Sequence, residues 1–192
     1  MIKRIFKKVL RKLGYKEITV SETSKVRPHV IQYCVGHGCD IGFGGDKISK
    51  VNCDGIDYAR PYTKTGLDKV DIACDLFTQS IPVNDNTYDY VYSSHLIEDF
   101  EDTEKILSEF IRVLKRDATL ILVFPNQEKY AKHCVETGQP LNLHHVHKEM
   151  GLDFMYECLF KLNDVKYTVL YESNCEIDYN VIMVLKIHKW VD

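Results

Sequence analysis

At 192 residues and 45% hydrophobic content, the chain is long enough for one α/β domain and short for two. Its formal charge of −3 excludes a uniformly basic nucleic-acid binder, and no stretch approaches the ~18 consecutive apolar residues of a membrane span. The seven cysteines form no C-x-x-C pair and several fall inside apolar strands, so reduced buried thiols are expected, with no disulfide and no metal. With no apolar run after the first charged residues, a signal peptide is not expected either, and the expected location is the cytoplasm, with peripheral membrane contact left open.

The charge is unevenly spread. Ile2, Ile5, Phe6, Val9, Leu10 and Leu13 share one helical face, and seven lysines and arginines fill the rest up to Lys16. That segment carries +7, which leaves −10 on the remainder. Residues 1–25 therefore read as a basic amphipathic helix with its connection, and residues 26–192 as the globular domain. Three contacts suit such a helix: its own acidic body or an oligomer partner, an anionic membrane surface, or nucleic acid. Nucleic acid fits least, because an acidic body offers phosphates no path to a site.

Next in the chain comes Gly38-Cys39-Asp40-Ile41-Gly42-Phe43-Gly44-Gly45, an apolar stub that carries an acid and empties into glycines. Glycines suit a strand end where backbone must pass close under a nucleotide. A dinucleotide fingerprint would need glycine at position 47, which is Lys47. Val51 to Asp57 then reads as a second strand ending in an acid, and Val70 to Leu76 repeats the form. Tyr88 to Asp99 gives a fourth strand running into a polar, titratable corner. A helical segment over 106–114 and an unbroken apolar strand from Ala118 to Phe124 follow. The spacing predicts a helix over 148–162 and two last strands over 167–171 and 180–187. Few residues separate the first strands, so some crossover helices are expected to be reduced to loops.

The D-x-G-x-G spacing of Asp40, Gly42 and Gly44 resembles motif I of the class I S-adenosylmethionine-dependent methyltransferases. Tyr88-Asp89-Tyr90-Val91 with Ser93-Ser94-His95 resembles the fourth-strand motif of their type-11 branch, and Phe110 to Lys115 the helix end before strand five. The departures are Phe43, Asp99 and the turn Arg116-Asp117-Ala118. The resemblance implies a doubly wound, mostly parallel seven-stranded sheet of order 3-2-1-4-5-7-6 with the last strand antiparallel, and S-adenosylmethionine as cofactor. It implies cofactor contacts from Asp40, Gly42, Gly44, Asp57, Asp75, Leu76 and Ser93. Asp57 would take the ribose diol, and Asp75 with Leu76 would frame adenine. The acids alone could instead be helix caps or turn residues.

Methyl transfer to a hydroxyl calls for a base beside the acceptor. His95 is the candidate nearest the methyl, with His145 or His147 of the run 144–147 on the acceptor side. Capping and carbonyl contacts are the plainer roles for these histidines. No Asn-Pro-Pro-aromatic signature follows Tyr92, which argues against methylation of nucleic-acid bases. Pro125 to Asn142, with Tyr130, Gln139 and Asn142, reads as a polar aromatic loop suited to a small-molecule or glycan acceptor. The expected activity is O-methyl transfer to a sugar or glycan hydroxyl. The alternative is a non-catalytic S-adenosylmethionine-binding or interaction module on the same fold.

Overall fold

The computed structural model describes residues 21–61, 65–163 and 165–189. The expected basic helix therefore lies outside the described residues, up to Ser21. From there α1 (Glu22–Val30) leads into β1 (Gly38–Ile41), β2 (Cys53–Asp57), β3 (Ile72–Ala73) and β4 (Tyr88–Ser94). The second half runs α2 (Thr103–Val113), β5 (Leu114–Pro125), α3 (Gln127–Thr137), α4 (Leu152–Lys161), β6 (Lys166–Ile177) and β7 (Asn180–His188).

The seven strands form one sheet of order 3-2-1-4-5-7-6. Strands β1 to β5 pair in parallel, and β7 runs antiparallel to both β5 and β6. Strand order reverses between β1 and β4, whose carboxyl ends open the crevice in which such sheets bind ligands. The central strands are buried on both faces, which is why β5 and β7 read as continuous apolar runs. On one face Leu120, Leu122, Val181 and Met183 pack with Leu107, Phe110 and Met155 of α2 and α4. On the other Tyr92, Ile121, Val123 and Ile182 pack with Val26 and Val30 of α1.

Among the described residues, no helix stands between β1 and β4. Loops satisfy the backbone instead. Thr65 N and Gly66 N donate to Gly44 O at 2.8 and 3.3 Å, and Asp68 N donates to Gly45 O at 2.8 Å. Lys47 N donates to Asp68 Oδ2 at 2.8 Å, so the 65–68 strap and the glycine turn hold each other. A strap that meets the turn's hydrogen bonds makes a crossover helix unnecessary there.

Several elements differ from the sequence expectation, among them α1, which starts within the expected connection, and β6, which runs on to Ile177. The third strand shrinks to two residues, because Asp75 Oδ1 accepts from Phe77 N at 3.0 Å and turns the chain. β5 starts directly at the end of α2, and Asp117, at φ 55°, is accommodated in a bulge opposite β4. The stretch 125–142 contains α3, capped by Asn126 Oδ1 accepting from Lys129 N at 3.1 Å and stopped by Gly138 at φ 69°. It buries only Cys134, so it carries no apolar period to announce it.

Candidate active site

The crevice begins with the turn after β1. Gly42 sits at φ 73°, and a Cβ there would lie 2.8 Å from the Leu96 side chain, so the backbone itself forms the wall. Gly44, at φ 55°, donates its amide to Asp57 Oδ2 at 3.0 Å, and Tyr58 N donates to Asp57 Oδ1 at 2.7 Å. Burial raises the Asp57 pKa above the ordinary carboxylate value, and these two amides only partly offset it. Each carboxylate oxygen keeps a lone pair for a further donor. Gly42, Gly44, Asp57, Tyr58, Phe77 and His95 line one cleft of about 150 Å³, closed on one side by Ser21 to Thr23 at the start of α1. Phe77 stacks on Phe100 with ring centres 4.3 Å apart.

The other expected cofactor residues stand around this cleft without lining it. Asp40 is fully buried beneath the turn, where its Oδ2 accepts from Ile48 N at 2.6 Å. Its Oδ1 has no hydrogen-bond partner among the described residues, and burial pushes its pKa well up. Ser93 Oγ donates to Ile41 O at 3.1 Å, tying the end of β4 to that of β1. Asp75 accepts from the Tyr58 hydroxyl at 3.2 Å, and Leu76 packs on the core. These four brace the site. Gly42, Gly44 and Asp57 face it.

The histidines separate. His95, at φ 53° where β4 ends, points Nε2 at Asn180 Oδ1 (2.6 Å) and Nδ1 at Glu98 Oε1 (3.1 Å). His145 reaches the same Glu98 oxygen at 3.6 Å and holds Gln127 Oε1 at 3.0 Å through Nδ1. Tyr130 lies against His145 and Tyr179, ring centres 4.8 and 5.0 Å apart, and its hydroxyl accepts from Asn142 N at 2.9 Å. His147 turns away to Phe100 O at 2.7 Å and Thr103 Oγ1 at 3.1 Å. The geometry thus brings His95 and His145 to one carboxylate and gives His147 contacts of its own. Among the described residues, no three potential ligands have the arrangement to hold a metal ion.

Reading from the sequence missed Glu98, Asn180 and Glu22. Glu98 lies inside the polar corner after β4, so its residue type was in view, though its convergence with His145 was not. Asn180 Nδ2 donates to Glu22 Oε2 at 3.0 Å, a contact across 158 positions that no local pattern announces.

A methyltransferase-domain family, type 11, matches residues 39–122 of the chain. Among solved structures, a putative S-adenosylmethionine-dependent methyltransferase from Methanococcus maripaludis is 15% identical, with a TM-score of 0.59, covering 88% of this chain and 85% of its own. A S-adenosylmethionine-dependent methyltransferase from Archaeoglobus fulgidus is 16% identical, with a TM-score of 0.58 and coverage of 85% and 92%. A putative methyltransferase solved in complex with the Haloferax volcanii Trm112 methyltransferase activator is 12% identical, with a TM-score of 0.61 and coverage of 84% and 88%. No curated protein matches the chain. The sheet has the class I S-adenosylmethionine-dependent methyltransferase fold. The resemblance to the type-11 methyltransferase domain is confined to residues 39–122, and the cofactor it implies is S-adenosylmethionine.

The residues present fit that cofactor. An acid with spare lone pairs ends β2, bare glycine backbone ends β1, and both face one cleft. No described helix is long and apolar enough to cross a membrane.

Proposed function

We propose that the chain transfers the methyl group of S-adenosylmethionine to an oxygen of a small polar acceptor that enters beside His95, with a sugar or glycan hydroxyl as the leading class. The cofactor supplies an electrophilic methyl on a sulfonium, so the protein's work is alignment. Gly42 and Gly44 leave room for the cofactor against the backbone, Asp57 takes the ribose hydroxyls, and Asp40, Asp75, Leu76 and Ser93 hold those groups in place. His95 stands at the cleft wall, and His145 supports the corner behind it. The observation that carries this reading is the convergence of Gly42, Gly44, Asp57 and His95 on one cleft.

Mass spectrometry of products from a panel of sugars, small phenols, carboxylic acids and amines tests it. A gain of one methyl on an oxygen acceptor supports the reading, and methylation confined to nitrogen acceptors overturns it. A second reading, a non-catalytic binding module, is favoured by the cleft volume of about 150 Å³, below the roughly 300 Å³ at which small-molecule pockets begin. On charge alone, residues 1–16 are proposed as a contact surface for the acidic body, a second copy or an anionic membrane.

A further inference from the structure

Glu98 is a buried acid that the reading above leaves without a task. It is fully buried, and among the described residues neither carboxylate oxygen makes a hydrogen bond of good geometry. A charge so placed is costly unless an opposite charge answers it. Two imidazoles face it, His95 at 3.1 Å and His145 at 3.6 Å. Its backbone carbonyl also accepts from Val146 N at 3.0 Å, so one residue anchors both the histidine corner and the 144–147 segment.

His95 has an acceptor on each ring nitrogen. Glu98 lies at Nδ1, and the Asn180 amide oxygen lies at Nε2. The amide cannot turn without loss, because Asn180 Nδ2 donates to Glu22 Oε2. The Glu98 contact is an ion-pair distance without hydrogen-bond geometry, so what it asks of His95 is charge, and only the imidazolium answers a buried carboxylate there while still donating to Asn180 Oδ1. We propose that Glu98 is a positioning residue that keeps His95 an imidazolium, so that His95 serves methyl transfer as a fixed cation in the cleft wall while the proton of the acceptor hydroxyl leaves to solvent water.

The surrounding charges agree. Around His95 stand Glu22 and Lys25 of α1, Asn180 of β7, Tyr179 with its ring 5.9 Å away, Glu98 and His145. Burial works against the charged ring, but Glu98, Glu22 and Asn180 outweigh it and raise the His95 pKa above its ordinary value. His145 goes the other way, lowered by its own burial and by the charge on His95, with Glu98 opposing. Two imidazoles beside one carboxylate thus divide the roles, one charged and one neutral.

This inference rests on the methyl-transfer reading for its purpose, but its first test does not need turnover. The side-chain nitrogen resonances of His95 in the full chain at pH 7.5 should show both nitrogens protonated, and Glu98→Gln should let the ring lose its proton at lower pH. A neutral His95 ring at that pH, or one whose titration ignores Glu98→Gln, overturns the proposal. Should Glu98→Gln not fold, Glu22→Gln, at a partly buried position on α1, must move the same titration in the same direction. With an acceptor in hand, turnover should fall as pH rises through the His95 titration, and Glu98→Gln should lower kcat about tenfold or more while cofactor affinity stays within about twofold. Turnover that instead rises with pH through that titration overturns the proposal. Absent turnover with a protonated, Glu98-dependent ring overturns only the methyl-transfer reading.

Discussion

The backbone of Gly66 lies so close to that of Gly45 that a Cβ at Gly66 would stand 1.9 Å from the Gly45 carbonyl oxygen. The strap that replaces a crossover helix is thus pressed against the turn that walls the cleft. Neither backbone can give way without breaking the hydrogen bonds of Thr65, Gly66 and Asp68 to Gly44 and Gly45.

Gly66→Ala should therefore cost about 2–3 kcal/mol of stability and weaken cofactor binding as well. Gly138→Ala is the control. It forces an L residue into positive φ, at 69°, a strain that Gly66 does not carry, but nothing lies within 4 Å of the new methyl. Its cost should stay near 1 kcal/mol, without effect on binding. Equal effects in urea unfolding would mean that the strap does not bear on the turn.

Asp46 fixes the start of α1 to the glycine turn. Its burial opposes ionisation, but Ser21, Ser24 and Arg27 all donate to it and hold its pKa at about 2. A carboxylate with a depressed folded pKa adds stability above the unfolded value of 3.8, and loses it as pH falls through the folded value. Asp46→Asn should cost roughly 2 kcal/mol at neutral pH. The difference from the native chain should shrink below pH 3.8 and close towards pH 2. Thermal melts across that range will show whether it does.

Asp40 has the opposite sign. Burial raises its folded pKa, so the folded state loses stability relative to the unfolded one as pH climbs above 3.8. Asp40→Asn keeps an oxygen for Ile48 N and removes the cost of the buried charge. It should stabilise the protein at pH 7 by about 1 kcal/mol or more, with the gain vanishing below about pH 4. Cofactor affinity should hold, because Asp40 braces the turn from below. A large loss of affinity would make Asp40 a direct contact.

The sheet was legible because its signals are local. Acids close β2 and follow β3, glycines end β1, and apolar runs mark β4, β5 and β7, each within a few residues. The crossover loops were foreseeable from their length, but not the strap, since the Gly45–Gly66 approach depends on two segments twenty-one residues apart meeting in space. In the site, Gly42 was legible from the glycine motif and Asp57 from its place at the end of β2, and both line the cleft. Glu98 did not, because an acid after a strand is usually solvated, and only the folded chain shows this one fully buried between two histidines. Helix α3 stayed hidden for a related reason: its cap and stop are visible, but a face that buries only Cys134 has no period to read.

Starting the chain at Tyr15 removes six of the seven N-terminal cations. If that segment contacts the acidic body or a second copy, the shortened protein should melt lower or change its assembly size by light scattering. Contact with an anionic membrane predicts a different result: unchanged melting, and loss of salt-sensitive co-sedimentation with phosphatidylserine vesicles.

The central claim is that S-adenosylmethionine sits in the cleft between the glycine turn and Asp57. Titration calorimetry of the full chain with S-adenosylmethionine and its demethylated product, repeated on Asp57→Ala, tests it most directly. The native chain should bind both, and the variant should lose about 1–3 kcal/mol of affinity, since both ribose hydroxyls lose their acceptor. The variant also loses the acceptor for Gly44 N and Tyr58 N, so melting must confirm that it remains folded at the titration temperature. No binding by the native chain, or equal affinity in a folded Asp57→Ala, would contradict the account.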